Sequence, residues 1–150
     1  MIIQLSALDQ IKRNYPQVPL LGVGVVVIRD QEIVLVKRGQ APAKGEWSLP
    51  GGLVELGEKA ADAAAREISE ECRLVIRDIS LLDYFEFIDW SIKGIKYHFV
   101  VLEFRALYAG GELAAADDSI EARWIHTKDI DAFPCSVQIK SIVRKAFGQY

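Results

Sequence analysis

The sequence predicts an α+β fold in which helices pack on both faces of a mixed β-sheet, and three observations carry that expectation. Leu21–Ile28 (LGVGVVVI) is a nearly unbroken apolar run of strand length, as expected of a central strand buried on both sides. Residues 58–73 form an alanine-rich stretch free of glycine and proline, whose apolar positions recur with helical period. Between and after these, turn residues divide the chain into the order β-β-β-α-β-β-β-α.

Taken in order, Ser6 to Asn14 reads as a short helix capped by Ser6 and stopped by Pro16 and Pro19. Residues 1–18 are therefore expected to be an arm ahead of one domain over 19–150. An arm of this kind can cross a subunit boundary, so a homodimer is an expectation. After the apolar run, Asp30 and Gln31 make a tight turn, and Ile33–Val36 form a second strand ending in Lys37 and Arg38. Gly39–Glu46 is a loop. Trp47–Leu49 is a short strand stopped by Pro50 and delivered to the pair Gly51–Gly52. Gly22 and Gly24 mark either close packing or close approach of a ligand.

Beyond the helix, Val75–Ile88 suits a strand, and Asp89–Gly94 is expected to be a turn containing Trp90. Ile95–Leu107 is a long strand, Ala109–Gly111 a turn and Glu112–Glu121 an acidic loop. Ala122–His126 is a last strand and Thr127–Phe133 a short helical turn. The final helix spans Val137–Phe147, with Val137, Ile142, Val143, Ala146 and Phe147 on its inner side.

A chain of 150 residues is long enough for one domain with a full core. The net charge of −3 argues against an extended nucleic-acid footprint, which needs clustered Lys and Arg, but leaves room for a small phosphorylated ligand. Cys72 and Cys135 make neither a CxxC pair nor a disulfide framework. There is no apolar run of membrane-spanning length, and the first residues do not read as a signal peptide. A cytoplasmic location is the resulting expectation.

The helical stretch carries the chemistry. At ~100° per residue, Glu67, Glu70 and Glu71 fall within an arc of about 100° beside an apolar face of Ala61, Ala64, Ala65, Ile68 and Cys72. Glu67 and Glu71 are like charges at i,i+4, and Glu70 and Glu71 lie in the last turn, where the dipole disfavours anions. Arg66 is the basic residue at hand, and Asp62 competes for it. Such a face is either simply solvated or a set of hard oxygen ligands for a divalent cation.

Gly51–Leu74 (GGLVELGEKAADAAAREISEECRL) resembles the Nudix box, G-x5-E-x7-R-E-U-x-E-E-x-G-U with U a bulky aliphatic. Gly52, Glu58, Arg66, Glu67, Ile68, Glu70, Glu71 and Leu74 stand at matching positions. Arg73 departs from it, standing where the family has a glycine. The apolar VGVGVVV, the basic strand end, W-x-LPGG and the RWI strand extend the likeness over nearly the whole chain. The resemblance implies a Nudix-type α/β/α sandwich and a pyrophosphohydrolase that uses Mg²⁺ or Mn²⁺ to cleave a nucleoside diphosphate linked to another group. It implies Glu70, Glu71 and the backbone of Gly51 as metal ligands, and Glu67 as a ligand or the general base.

By the same resemblance Arg66 pins one of those carboxylates, Glu58 acts near the metal or only on the helix dipole, and Glu121 is a further acid sent in from a loop. Lys37 and Arg38 end a strand at the same edge and are candidate phosphate contacts. Trp47 is a candidate base-stacking residue, although an aromatic in a strand also serves a core. His98 and His126, each alone in its strand, are not read as catalytic. The branch most like this chain is that of the ADP-ribose pyrophosphatases, which makes ADP-ribose, cleaved to AMP and ribose 5-phosphate, the first expectation. Nucleoside triphosphates, oxidised ones included, and a non-catalytic nucleotide sensor are the rivals.

Overall fold

The computed structural model describes residues 12–148. Seven strands form one mixed sheet: β1 (Leu20–Arg29), β2 (Glu32–Arg38), β3 (Trp47–Ser48), β4 (Gly51–Leu53), β5 (Leu74–Ser91), β6 (Gly94–Gly111) and β7 (Ser119–His126). The main path runs β3-β2-β1-β6-β5, with β4 paired to β1 and β7 to β2. β1 lies parallel to β6, and the other pairs are antiparallel. The helices are α1 (Ala60–Cys72) and α2 (Val137–Ala146), with a 3-10 turn at Thr127–Ala132 between β7 and α2.

β1 explains the layering. In a strand, neighbouring side chains point to opposite faces. Val23, Val25 and Val27 accordingly pack with Ala63, Ala64, Ile68 and Cys72 of α1, while Val26 and Ile28 pack with Ile142, Val143 and Ala146 of α2. Val25, Val26 and Val27 have no exposed surface. Each such burial contributes about 1.5–3 kcal/mol before chain entropy is counted. The sheet is thus sandwiched between two apolar layers, and the mixed sheet between helices expected from the order of elements is present.

Several local expectations give way. Residues 12–14 are not helical, and the rest of the expected first helix lies outside the described residues. Tyr15 ties the arm down, its N–H donating to the Lys96 carbonyl at 2.7 Å and its hydroxyl lying 2.9 Å from Ser91 Oγ. Gly51 and Gly52 open a short strand of their own: a Cβ on Gly51 would collide with the Val23 carbonyl, so only glycine lets β4 lie this close to β1. α1 begins at Ala60 instead of Glu58, because Glu58 accepts the Glu55 N–H at 3.0 Å just ahead of the helix.

β5 and β6 are longer than their apolar patterns. Their hairpin reverses between Ser91 and Gly94, so Trp90 belongs to the strand, and Gly94 takes the positive φ (115°) that the reversal requires. Ala109–Gly111 continue β6 instead of turning. On α2, Ile142, Val143 and Ala146 are buried as expected. Val137 is 80% exposed because it opens the helix, before the inward face is established. No helix among the described residues is long and apolar enough to cross a membrane.

Candidate active site

α1 holds the site through its pitch. Its buried residues are Ala63, Ala64, Ile68, Glu71 and Cys72, with Ala60 and Ala61 partly buried against the same core, so the stripe extends to Ala63 and leaves Ala65 at its margin. Glu67 and Glu71 consequently lie on the edge of the buried face. Of the three box carboxylates, Glu70 alone is well exposed, at 47% of its side chain. Cys72 is buried, which pushes its thiol up to about 12 and makes it a core residue, not a nucleophile.

Arg66 is the hub. Its Nε and Nη2 grip both oxygens of Glu58, at 2.7 and 3.0 Å. Nη2 also donates to the Leu53 carbonyl at 2.9 Å, and Nη1 donates to Glu67 at 2.8 Å and Glu70 at 3.1 Å. The two-pronged contact expected for one of the helix acids is therefore made to Glu58, the acid that precedes the helix. Glu58 sits below its ordinary carboxyl range through these hydrogen bonds. The expected rival Asp62 stays exposed in the first turn.

Glu71 is held from the other side. Its Oε2 accepts the Gly51 N–H at 3.0 Å, and its Oε1 accepts from Ser119 Oγ. Burial pushes its carboxyl up to about 7, against the pull of those two donors. Glu67 is also raised, first by burial, while Arg66 acts to lower it. Its carboxylate occupies the space that a Cβ on Gly52 would need, so the second glycine of the pair is the cradle for this acid. Arg73, in place of the box's late glycine, ends the helix in the left-handed region at φ 59° and donates its N–H to the Ser69 carbonyl. The turn survives without glycine.

The other sequence candidates divide. Arg38 is brought to the site: burial lowers its pKa, and the opposing charge that acts on it most strongly is that of Glu71. Its Nε donates to the Pro42 carbonyl at 2.8 Å. Lys37 faces Trp47 on one side and Glu121 on the other in strand register. Trp47 is 9% exposed and stands edge-on to Phe133 at 5.2 Å, inside the α2-side core. Glu121 is not brought to the box acids. Arg38 opposes Ser119 while Lys37 opposes Glu121, so Ile120 is an extra residue and forms a β-bulge. The bulge resets the alternation: Ser119 turns to Glu71, and Glu121 pairs with Arg123 at 2.5 Å.

Two contributors carried no sequence signal. Ser119 opens β7 but falls in a stretch whose composition reads as an acidic loop, with nothing to mark it. Arg13, in the arm, is close enough for its charge to act on Glu67 and Arg38. As placed, no three His, Cys, Asp or Glu side chains among the described residues stand close enough together to hold a metal ion. The donor set nevertheless fits a hard divalent cation. Glu67, Glu70 and Glu71 offer oxygen alone, and Glu67 and Glu71 are raised by burial first and by a neighbouring glutamate charge after it, which a cation would relieve.

Known proteins resemble this chain in sequence and fold. The family description "NUDIX domain" matches residues 18–145. The chain is 36% identical over 128 residues to the ADP-ribose pyrophosphatase of Methanocaldococcus jannaschii, covering 84% of this chain and 74% of that one. It is 33% identical over 139 residues to the NAD-capped RNA hydrolase NudC of Pseudomonas fluorescens, covering 92% of this chain but 46% of the relative, so it spans about half the length of that protein. Among solved structures, a MutT NUDIX hydrolase from Burkholderia pseudomallei superposes with a TM-score of 0.73 at 28% identity, covering 86% of this chain and 98% of its own. A glycine-paired β4, a helix of three carboxylates, two of them held by one arginine, and a domain match over most of the chain give one answer: the protein belongs to the Nudix family and is a Nudix hydrolase.

Proposed function

We propose that this protein is a divalent-metal-dependent pyrophosphohydrolase of nucleoside diphosphate derivatives, with ADP-ribose, cleaved to AMP and ribose 5-phosphate, as its first substrate. The observation that carries this reading is the arrangement of Glu67, Glu70 and Glu71 on one turn, two of them half-sunk against Gly51 and Gly52 and two of them steadied by Arg66. Likeness to the Methanocaldococcus jannaschii ADP-ribose pyrophosphatase supports the substrate.

In this reading Glu70, Glu71 and the Gly51 carbonyl would hold Mg²⁺ (or Mn²⁺), with Glu67 beside them. When bound, the ion neutralises charge on the diphosphate and makes the attacking water more acidic. The chain's own residues do the positioning. Arg66 fixes Glu67 and Glu70 in place, and Glu58 orients Arg66 through its paired contact. Arg38 and Lys37, with Arg13 from the arm, offer positive charge to the phosphates. Glu67 is assigned the proton-accepting role in preference to Glu121, because the bulge turns Glu121 away. A carboxyl raised by burial suits that work near neutral pH.

The test is a substrate panel with Mg²⁺ or Mn²⁺: ADP-ribose, NADH, deoxynucleoside triphosphates including oxidised ones, and NAD-capped RNA. AMP, ribose phosphate and pyrophosphate release are followed by chromatography and phosphorus NMR. Metal-dependent AMP release from ADP-ribose at the highest kcat/KM is the expected result. Failure to turn over any member of the panel refutes the hydrolase reading, and preference for a triphosphate refutes the substrate.

A further inference from the structure

A second polar feature lies on the other side of the sheet. Between α2 and the β5–β6 pair is a cleft of about 320 Å³, the low end of the range for small-molecule sites. Phe85 and Ile142 give it apolar walls, Gln138 stands at its rim, and Glu103 is on its floor. Glu103 is 6% exposed, and its Oε2 has no hydrogen-bond partner. Lys145, which also lines the cleft, is engaged with Asp83 at 3.0 Å instead. A buried carboxylate oxygen without a donor is costly and uncommon in a folded protein, and it is tolerated where a ligand brings the donor.

The sequence around Glu103 accommodates it at a cost to β1. A Cβ on Gly24 would collide with the Glu103 carboxylate, so glycine at this position in the most buried strand makes room for the acid. Gly24 is also the point of contact with the box. In strand register it faces Gly51 of β4 on one side and Glu103 of β6 on the other. The backbone of Glu103 is thus two strand spacings, about 10 Å, from the backbone at the head of the box. The Glu103 carboxylate faces α2 and the box carboxylates belong to α1, so this spacing is taken across the sheet and a ligand serving both passes around its edge.

Resting on the pyrophosphohydrolase reading above, we propose that Glu103 is a specificity-determining residue that accepts a hydrogen bond from the exocyclic amine of a purine lodged in this cleft. The apolar walls suit a flat base, and the unpartnered oxygen suits an N–H donor. A base with a carbonyl at the same position would set two acceptors against each other. Sites built around a buried polar group discriminate strongly against an analogue that leaves the group unpaired.

The experiment compares ADP-ribose with its hypoxanthine counterpart, inosine diphosphate ribose, on the wild-type chain, Glu103→Leu and Glu103→Gln. The wild type is expected to favour the amine by about tenfold or more in kcat/KM. Glu103→Leu should lose most of that preference, through a higher KM for ADP-ribose and a lower KM for the hypoxanthine compound, whose carbonyl no longer meets an opposed acceptor. Glu103→Gln, which keeps an acceptor and adds a donor, should narrow the gap from both ends. The melting temperature of Glu103→Leu should not fall, because an unpartnered buried acid has been removed. Equal losses on the two substrates, no preference in the wild type, or a lower melting temperature with loss of both activities would overturn the assignment. Wild-type turnover of both compounds without preference defeats only the role of Glu103, whereas turnover of neither defeats the enzymatic reading beneath it.

Discussion

Replacing Arg66 by alanine tests the organisation of the box helix without reference to any substrate. The guanidinium makes five hydrogen bonds, four to carboxylates and one to the Leu53 carbonyl. Its side chain is 21% exposed, and those of Glu58 and Glu67 are 16% and 12% exposed. Removing one partner of a buried ion pair costs about 3–5 kcal/mol, and exposed pairs contribute about 0–1 kcal/mol. The Glu70 contact belongs to the second class and the Glu58 and Glu67 contacts sit nearer the first, so the expected loss is about 3 kcal/mol. For a chain of this length that lowers the melting temperature by roughly 6–12 °C. Urea titration measures it. A double-mutant cycle with Glu58→Gln should return a coupling of about 2 kcal/mol, since those residues share two of the contacts. Arg66→Lys should recover less than half, because an ammonium cannot reach both Glu58 and Glu67 in the planar fork. A coupling below about 0.5 kcal/mol, or a loss that vanishes in high salt, would refute the claim that this arginine is a partly buried hub.

Three further outcomes are expected. Glu70→Gln and Glu71→Gln should each lower metal-dependent AMP release by about 10² or more with the fold intact by circular dichroism. Glu103 is raised from the ordinary glutamate value of 4.5 to about 7 by burial, so the folded chain holds its proton where the unfolded chain has released it. Its contribution is complete below the unfolded value and is lost as pH rises through the folded one, an effect of about 3 kcal/mol. Urea midpoints at pH 5 and pH 8 should therefore diverge in the wild type, and Glu103→Gln should reduce the divergence. Arg73→Gly should raise stability by about 1 kcal/mol, since the helix end already sits at φ 59°; an unchanged or lower melting temperature would contradict it.

Much of the fold was legible because periodicity reports burial. The alternating valines of β1 and the spacing of Ala64, Ile68 and Cys72 announce a strand between layers and a helix against one of them. The site was legible in its residue types and less so in its contacts. The extension of the buried stripe to Ala63 decides which glutamates are half-sunk, and an even-handed count of apolar positions does not resolve it. Glu121 was misplaced because one extra residue in β7 reverses which side chains face α1, and a bulge leaves no mark in composition. Ser119, Arg13 and Glu103 depend on partners 48 or more residues away or on strand register, which local pattern does not carry. Trp90 and Gly110 were read as turn residues from their type, whereas pairing with the neighbouring strand extends both arms of the hairpin.

The division of labour along β1 has a thermodynamic corollary. Val25 and Val26 are adjacent in the chain and serve opposite layers, and each is wholly enclosed. Neither layer can come apart while the other keeps its wall, because the wall is the same ten residues. Scanning calorimetry should accordingly record a single endotherm, and a cavity cut beneath α2 should loosen amide protons beneath α1 as much as those beside the cut.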